Sequence, residues 1–180
     1  MVETPDDIRG LITMPGTGGF LVSMYIGELE VHQFLLIDTD GTSSSGNFAT
    51  EKLKFFIPNE GATFASNVLF GCGRVINEPH PEISGVMGLG YGGKSVATQI
   101  GTKFSYCIGS IRDPYYAYNR LIIGNGAKMI GTMTPLDLHN HIYYLTLERI
   151  SVGRRDLPIS RRVFQRTRRG NHGVIIDSGS

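Results

Sequence analysis

Two short stretches decide the reading of this chain: FLLIDT, Phe34 to Thr39, and GVIIDSG, Gly173 to Gly179. Each is an apolar, β-branched run ending in an aspartate that a small hydroxyl residue follows. Such runs have the composition of buried strands, so each places a carboxylate, Asp38 or Asp177, at a strand end. The hydroxyl of Thr39 or Ser178 can hydrogen-bond its surroundings, and Gly179 permits a tight turn. A single strand-ending aspartate is ordinarily a turn former; it is the echo that carries information.

Two such strands brought together face two carboxylates across a short gap. Like charges that close cannot both ionise, so the pair shares a proton. One carboxylate then acts as general base on a water and the other protonates a substrate carbonyl. That is acid peptide hydrolysis with no metal, no other cofactor and no covalent intermediate.

The rest of the sequence favours an all-β, mostly antiparallel chain. Glycine accounts for 24 of 180 residues, nearly double the usual ~7%, and glycine suits turns and weakens helices. Strands are predicted at Phe20–Ile26, Val31–Ile37, Asn47–Phe56, Asn67–Gly71, Lys103–Ile108, Arg120–Ile123, Ile142–Ile150 and Gly173–Ile176. Helices are predicted only at Ser95–Ile100 and Ser160–Arg166, so the βα alternation of a parallel fold is missing. A hydrophobic content of 41% against 18% charged residues is enough to build a core. No apolar run approaches the ~18 residues of a membrane helix.

The formal net charge is +1, unevenly spread. Residues 1–82 hold 4 basic and 11 acidic side chains, and residues 83–180 hold 13 and 5. Arg154, Arg155, Arg161, Arg162, Arg166, Arg168 and Arg169 supply most of the positive excess. Only Phe164 interleaves them, too little for a single-strand stacking platform, so a solvated face is expected and nucleic acid is not. Cys72 and Cys107 lack CxxC spacing and read as buried or leftover thiols.

Beyond the two aspartates, longer stretches resemble the pepsin-like aspartic proteases, most closely the plant nepenthesin-type branch. GGFLVSMYIGELEVHQFLLIDT, Gly18 to Thr39, resembles the strand pair leading to the first active-site aspartate. DGTSSSGNFATEKLKF, Asp40 to Phe55, resembles the flap hairpin, and VLFGCG, Val68 to Gly73, a core strand after it. GVMGLGYGGKSVATQIG, Gly85 to Gly101, resembles the segment behind the first aspartate with its short helix. FSYCIG, NRLIIGNG, IYYLTLERISVGRRDLPIS and VIIDSGS continue the match in order.

The resemblance implies an incomplete pepsin-like fold: a damaged N-terminal lobe over residues 1–107 and the start of a C-terminal lobe over 108–180. It implies catalysis by Asp38 and Asp177 with support from Thr39, Ser178 and Gly179. Asp40, Gly41, Thr42, Ser43, Ser44 and Ser45 would be the flap remnant over the substrate. Polypeptide substrates, a monomeric state and a secreted, apoplastic or vacuolar location follow from the same resemblance, although MVETPDDIRG, Met1 to Gly10, does not read as a signal peptide.

This chain also departs from the family. Asp38-Thr39 runs directly into Asp40-Gly41 where the family has Asp-Thr-Gly and a long segment, and IGELE, Ile26 to Glu30, replaces IGTPP. The implied partners of Cys72 and Cys107 lie in missing segments. The expectation is therefore a truncated member with little or no activity as written, or an inactive relic or binding remnant.

Two rival motifs are weighed against this reading. Gly88 to Ser95, GLGYGGKS, matches the phosphate-cradling GxxxxGK[ST], but that mechanism needs a substantial helix after Lys94 in a parallel sheet. His139 and His141 could point the same way from a strand, but no third ligand is near, and a polar loop is expected.

Overall fold

The computed structural model describes residues 7–13, 20–39, 46–73, 83–110, 118–167, 170 and 172–178. In chain order the larger part contains β1 (Asp7–Thr13), β2 (Leu21–Ile26), β3 (Val31–Asp38), β4 (Gly46–Ile57), β5 (Gly61–Gly73) and β6 (Gly85–Gly88). The helix α1 (Val96–Ile100), β7 (Phe104–Cys107) and β8 (Arg120–Gly124) complete it. These eight strands form one sheet in the order β5-β4-β2-β1-β8-β7, with β3 paired to β2 and β6 paired to β3.

Local chemistry explains the pairing. β2 and β3 form a hairpin in register from Leu21↔Leu36 to Ile26↔Val31. Its turn begins at Gly27, at φ 75°, and closes with the Glu30 N–H on the Gly27 carbonyl at 3.1 Å. Burial rises along β3 from exposed Val31 and His32 to fully enclosed Ile37 and Asp38, so this strand runs from solvent into the core. β4 and β5 make a long hairpin with a register irregularity between Glu51 and Leu53. One parallel pair, β3 with β6, runs from Leu35↔Gly85 to Asp38↔Gly88.

The core lies under this sheet. Phe55, Leu121, Ile123, Ile37 and Met87 are each 0% exposed and belong to one apolar cluster. Gly10 is part of its construction, because a Cβ there would meet Val22 Cγ2 at 2.9 Å and Phe55 Cδ1 at 3.1 Å. The sheet runs straight across residue 107: β8 pairs with both β7 and β1 and delivers Leu121 and Ile123 to the same core.

The remainder is thinner. β9 (Asp137–His139), β10 (Ile142–Leu145) and β13 (Val174–Ile175) make a three-stranded sheet, and β11 (Ser151–Val152) pairs with β12 (Arg155–Asp156). Among the described residues from 128 to 178 none is fully buried, and Ile130 is 98% exposed. The strand expected over Ile142–Ile150 stops at Leu145, where its partner β13 ends in the pairing Leu145↔Val174. The helix expected at Ser160–Arg166 is one 3₁₀ turn, Arg161–Phe164, capped by the Ser160 hydroxyl accepting from the Arg162 N–H at 3.4 Å. Among the described residues no helix is long and apolar enough to cross a membrane.

Because the apolar cluster is concentrated in the larger sheet, Phe55→Ala is expected to cost about 3–5 kcal/mol, the range for emptying a buried aromatic site. Urea denaturation of the variant against the parent checks this.

Candidate active site

The end of β3 is built to be rigid. Asp38 and Thr39 are the buried polar residues of the described chain, each 1% exposed. The Leu89 N–H donates to the Asp38 carbonyl oxygen at 2.7 Å, continuing the parallel β3–β6 pairing past its last register pair. At the other end of that pair, the Ser84 N–H donates to the Phe34 carbonyl at 2.8 Å. The backbone that presents Asp38 is therefore held on both flanks, by β2 and by β6.

The second motif arrives from the smaller sheet. β13 leads through Ile176 into Asp177, which is exposed, and Ser178, which is half-buried. The two motifs meet through their hydroxyls. Thr39 Oγ1 donates to the Ile176 carbonyl at 3.2 Å and accepts from the Ser178 N–H at 2.9 Å. Ser178 Oγ donates to the Ile37 carbonyl at 2.8 Å and lies 3.3 Å from Thr39 Oγ1.

The arrangement is reciprocal: each hydroxyl holds the carbonyl of the residue that precedes the opposite aspartate. Backbone groups so close to a core need partners, and the Thr and Ser side chains supply them. That is the physical reason for the echo of Ile-Asp-Thr in Ile-Asp-Ser.

The surroundings of the two carboxylates differ. Asp38 is enclosed by the larger sheet, whereas Asp177 is exposed. Tyr106, on β7, is within the field of Asp177: burial first, and then that carboxylate, push its phenol above the usual tyrosine range. Neither Tyr106 nor the carbonyls of Ile37 and Ile176 were singled out from sequence. The hydroxyl residue after each aspartate was the available signal for bonds to these carbonyls; Tyr106 lay in the FSYCIG stretch, which gave it no role.

Asp40, Gly41, Thr42, Ser43, Ser44, Ser45 and Gly179 lie outside the described residues. In the GLGYGGKS stretch the Lys94 ammonium sits 4.0 Å from the Phe48 ring centroid, and the Ser95 hydroxyl donates to the Gly88 carbonyl at 3.1 Å. The helix that follows has five residues, so the phosphate-cradle geometry is not formed. Asn140 and His141, at φ 48° and 69°, make the two-residue turn between β9 and β10. His141 Nδ1 lies 2.6 Å from the Tyr91 carbonyl. Arg154, Arg155, Arg161 and Arg162 are exposed, while Arg166 pairs with Asp137 at 2.5 Å and covers the Tyr144 ring at 5.4 Å. Cys72 and Cys107 are both exposed rather than buried, because Cys72 is the last residue but one of β5 and Cys107 the last of β7, the two strands at the ends of the sheet order.

Known proteins resemble this chain in sequence and in fold. The family model of the xylanase inhibitor N-terminal domain matches residues 30–125. Aspartic proteinase nepenthesin-1 of Nepenthes gracilis is 34% identical over 151 residues, covering 78% of this chain and 33% of that protein. Aspartyl protease UND of Arabidopsis thaliana is 32% identical over 114 residues, covering 63% and 29%. The chain spans about a third of the length of the curated relatives it matches. The crystal structure of EDGP superposes with a TM-score of 0.76 at 11% identity, covering 98% of this chain and 65% of that one. Basic 7S globulin from soybean superposes at 0.66 with 13% identity, covering 84% and 60%. At such identities the superpositions speak for the fold alone.

Thr39→Val keeps the shape of the side chain but leaves the Ser178 N–H and the Ile176 carbonyl without their shared partner. It is expected to destabilise the chain by about 1–3 kcal/mol, and Thr39→Ser by less, as read from denaturation midpoints at constant m-value.

Proposed function

The chain belongs to the plant pepsin-like aspartic protease family, and from that premise we propose that Asp38 and Asp177 form the working pair of an aspartic endopeptidase. The observation that carries the proposal is the reciprocal bonding of Thr39 and Ser178, which draws the ends of two strands from different sheets together. On this reading the larger sheet belongs to one lobe of the protease and the smaller sheet to the opening of a second.

The chemistry then follows from the residues. A water between the two carboxylates gives its proton to one of them and attacks the carbonyl carbon of an internal peptide bond. The other carboxyl protonates the carbonyl oxygen, and proton transfer to the nitrogen releases the amine as the tetrahedral intermediate collapses. Thr39 and Ser178 take no part in the bond changes; they hold the backbone so that the carboxylates keep their spacing. Asp40 to Ser45 would lie over an extended polypeptide substrate, and Gly179 would let the chain turn away from Asp177. The acid dependence suits an apoplastic or vacuolar setting.

A second reading is binding without hydrolysis. It is favoured by the contrast between enclosed Asp38 and exposed Asp177, and by the matching family model being named for inhibitors of xylanase. A catalytic pair needs its geometry held within a fraction of an ångström, and an exposed partner is less constrained.

The assay that separates the two is cleavage of an acid-denatured protein by the purified chain. Slow cleavage is expected, blocked by pepstatin and reduced about 100-fold or more by Asp38→Asn and by Asp177→Asn separately. No pepstatin-sensitive cleavage, or cleavage that survives either substitution, would favour the binding reading.

A further inference from the structure

We propose that Tyr143 is a positioning residue that fixes the spacing of the two aspartate motifs through a second tie, separate from the Thr39–Ser178 contact. The proposal rests on reading Asp38 and Asp177 as the working pair. Its basis is a continuous run of hydrogen bonds. The Asp38 carbonyl accepts from the Leu89 N–H at 2.7 Å, and the Leu89 carbonyl accepts from the Tyr143 hydroxyl at 2.9 Å. The Tyr143 carbonyl in turn accepts from the Ile176 N–H at 3.0 Å, and Ile176 immediately precedes Asp177. Tyr143 thus carries both links, with its side chain on the Asp38 side and its backbone on the Asp177 side.

The position of the residue suits the role. Tyr143 lies on β10, the central strand of the smaller sheet, between β9 and β13. Its ring packs 6.0 Å from that of Phe104, which is 6.4 Å from Tyr106. The half-buried phenol is pushed above the usual tyrosine range by burial first and by Tyr91 second; at acid pH a tyrosine is a protonated donor with or without that shift.

The carbonyl it grips is itself held in place. Two residues along, the Tyr91 N–H donates to the His141 carbonyl at 3.0 Å, and His141 Nδ1 lies 2.6 Å from the Tyr91 carbonyl. The tip of the β9–β10 hairpin therefore grips the same loop that Tyr143 reaches.

A second tie matters mechanically. Hydrogen bonds gathered at one point leave a hinge about that point, and a tie displaced from it removes the rotation. With no fully buried residue among those described from 128 to 178, packing supplies little of that restraint, so a single hydroxyl has leverage. Tyr144, the next residue, serves as an internal control. It faces Arg166 and His139 instead, since successive strand residues point to opposite faces.

The test pairs Tyr143→Phe with Tyr144→Phe and reads amide hydrogen exchange by NMR in the intact chain. In Tyr143→Phe, exchange at Ile176 and Ser178 is expected to quicken about tenfold, the worth of roughly one hydrogen bond. The β4–β5 hairpin should hold its protection. Tyr144→Phe should leave both motifs unchanged. Where the parent chain cleaves substrate, Tyr143→Phe should lower kcat about 10–100-fold with little change in KM.

Unaltered exchange at Ile176 and Ser178 in Tyr143→Phe overturns the proposal, as does an unaltered kcat in an active chain. Faster exchange in a chain with no proteolysis sustains the tie and sinks the endopeptidase reading instead, so the two failures are distinguishable.

Discussion

The structure turns on one buried hydroxyl. Thr39, 1% exposed, offers its oxygen to the Ser178 N–H and its proton to the Ile176 carbonyl. A hydrogen bond of this kind is worth only about 1 kcal/mol net, yet leaving a buried partner unmade costs more. That asymmetry gives the contact its importance. Once Thr39 is enclosed by the larger sheet, its polar atoms must be satisfied, and the second motif is what satisfies them. The smaller sheet cannot secure this position by its own packing. It is placed by polar contacts at Thr39 and Leu89, each next to a strand end around Asp38, and at Tyr91 in the loop after β6.

Strand geometry then decides what the contact can do. β3 passes from solvent into the core along its length, so its last residues bring a carboxylate to an enclosed place without a long loop. The parallel neighbour β6 continues beyond Asp38 through the Leu89 N–H and prevents that end from fraying. Asp177 comes by a different route, past a two-residue strand, and stays exposed. The two carboxylates therefore share a backbone scaffold but not an environment.

Much of this was legible in the sequence, for identifiable reasons. β2, β3, β4 and β8 announce themselves as β-branched and aromatic runs between turn residues, and the Ile-Asp-Thr and Ile-Asp-Ser echo marks both motifs. β1 escaped because Gly10 interrupts a polar-looking start. In the fold that glycine is required, since Val22 and Phe55 leave no room for a Cβ. β6, four residues with glycine at each end, has too little pattern to read. The strand at Ile142 was drawn too long because composition shows where a strand can form, while its partner decides where it stops. Tyr106 and Tyr143 lay inside the FSYCIG and IYYLTLERISVGRRDLPIS stretches, but nothing there gave either a role: that depends on contacts with segments remote in the chain, which only the fold brings together. The six residues from Asp40 to Ser45 read as a flap from resemblance, and their placement was not among the described residues.

The central claim, that Thr39 and Ser178 act as one unit joining the two motifs, is tested most directly by a double-mutant cycle. Thr39→Val, Ser178→Ala and the double variant would be compared by urea denaturation. The account predicts non-additivity, with a coupling of about 1 kcal/mol or more, because either change alone already breaks the reciprocal arrangement. Strictly additive losses would mean that the two hydroxyls act independently and would contradict it.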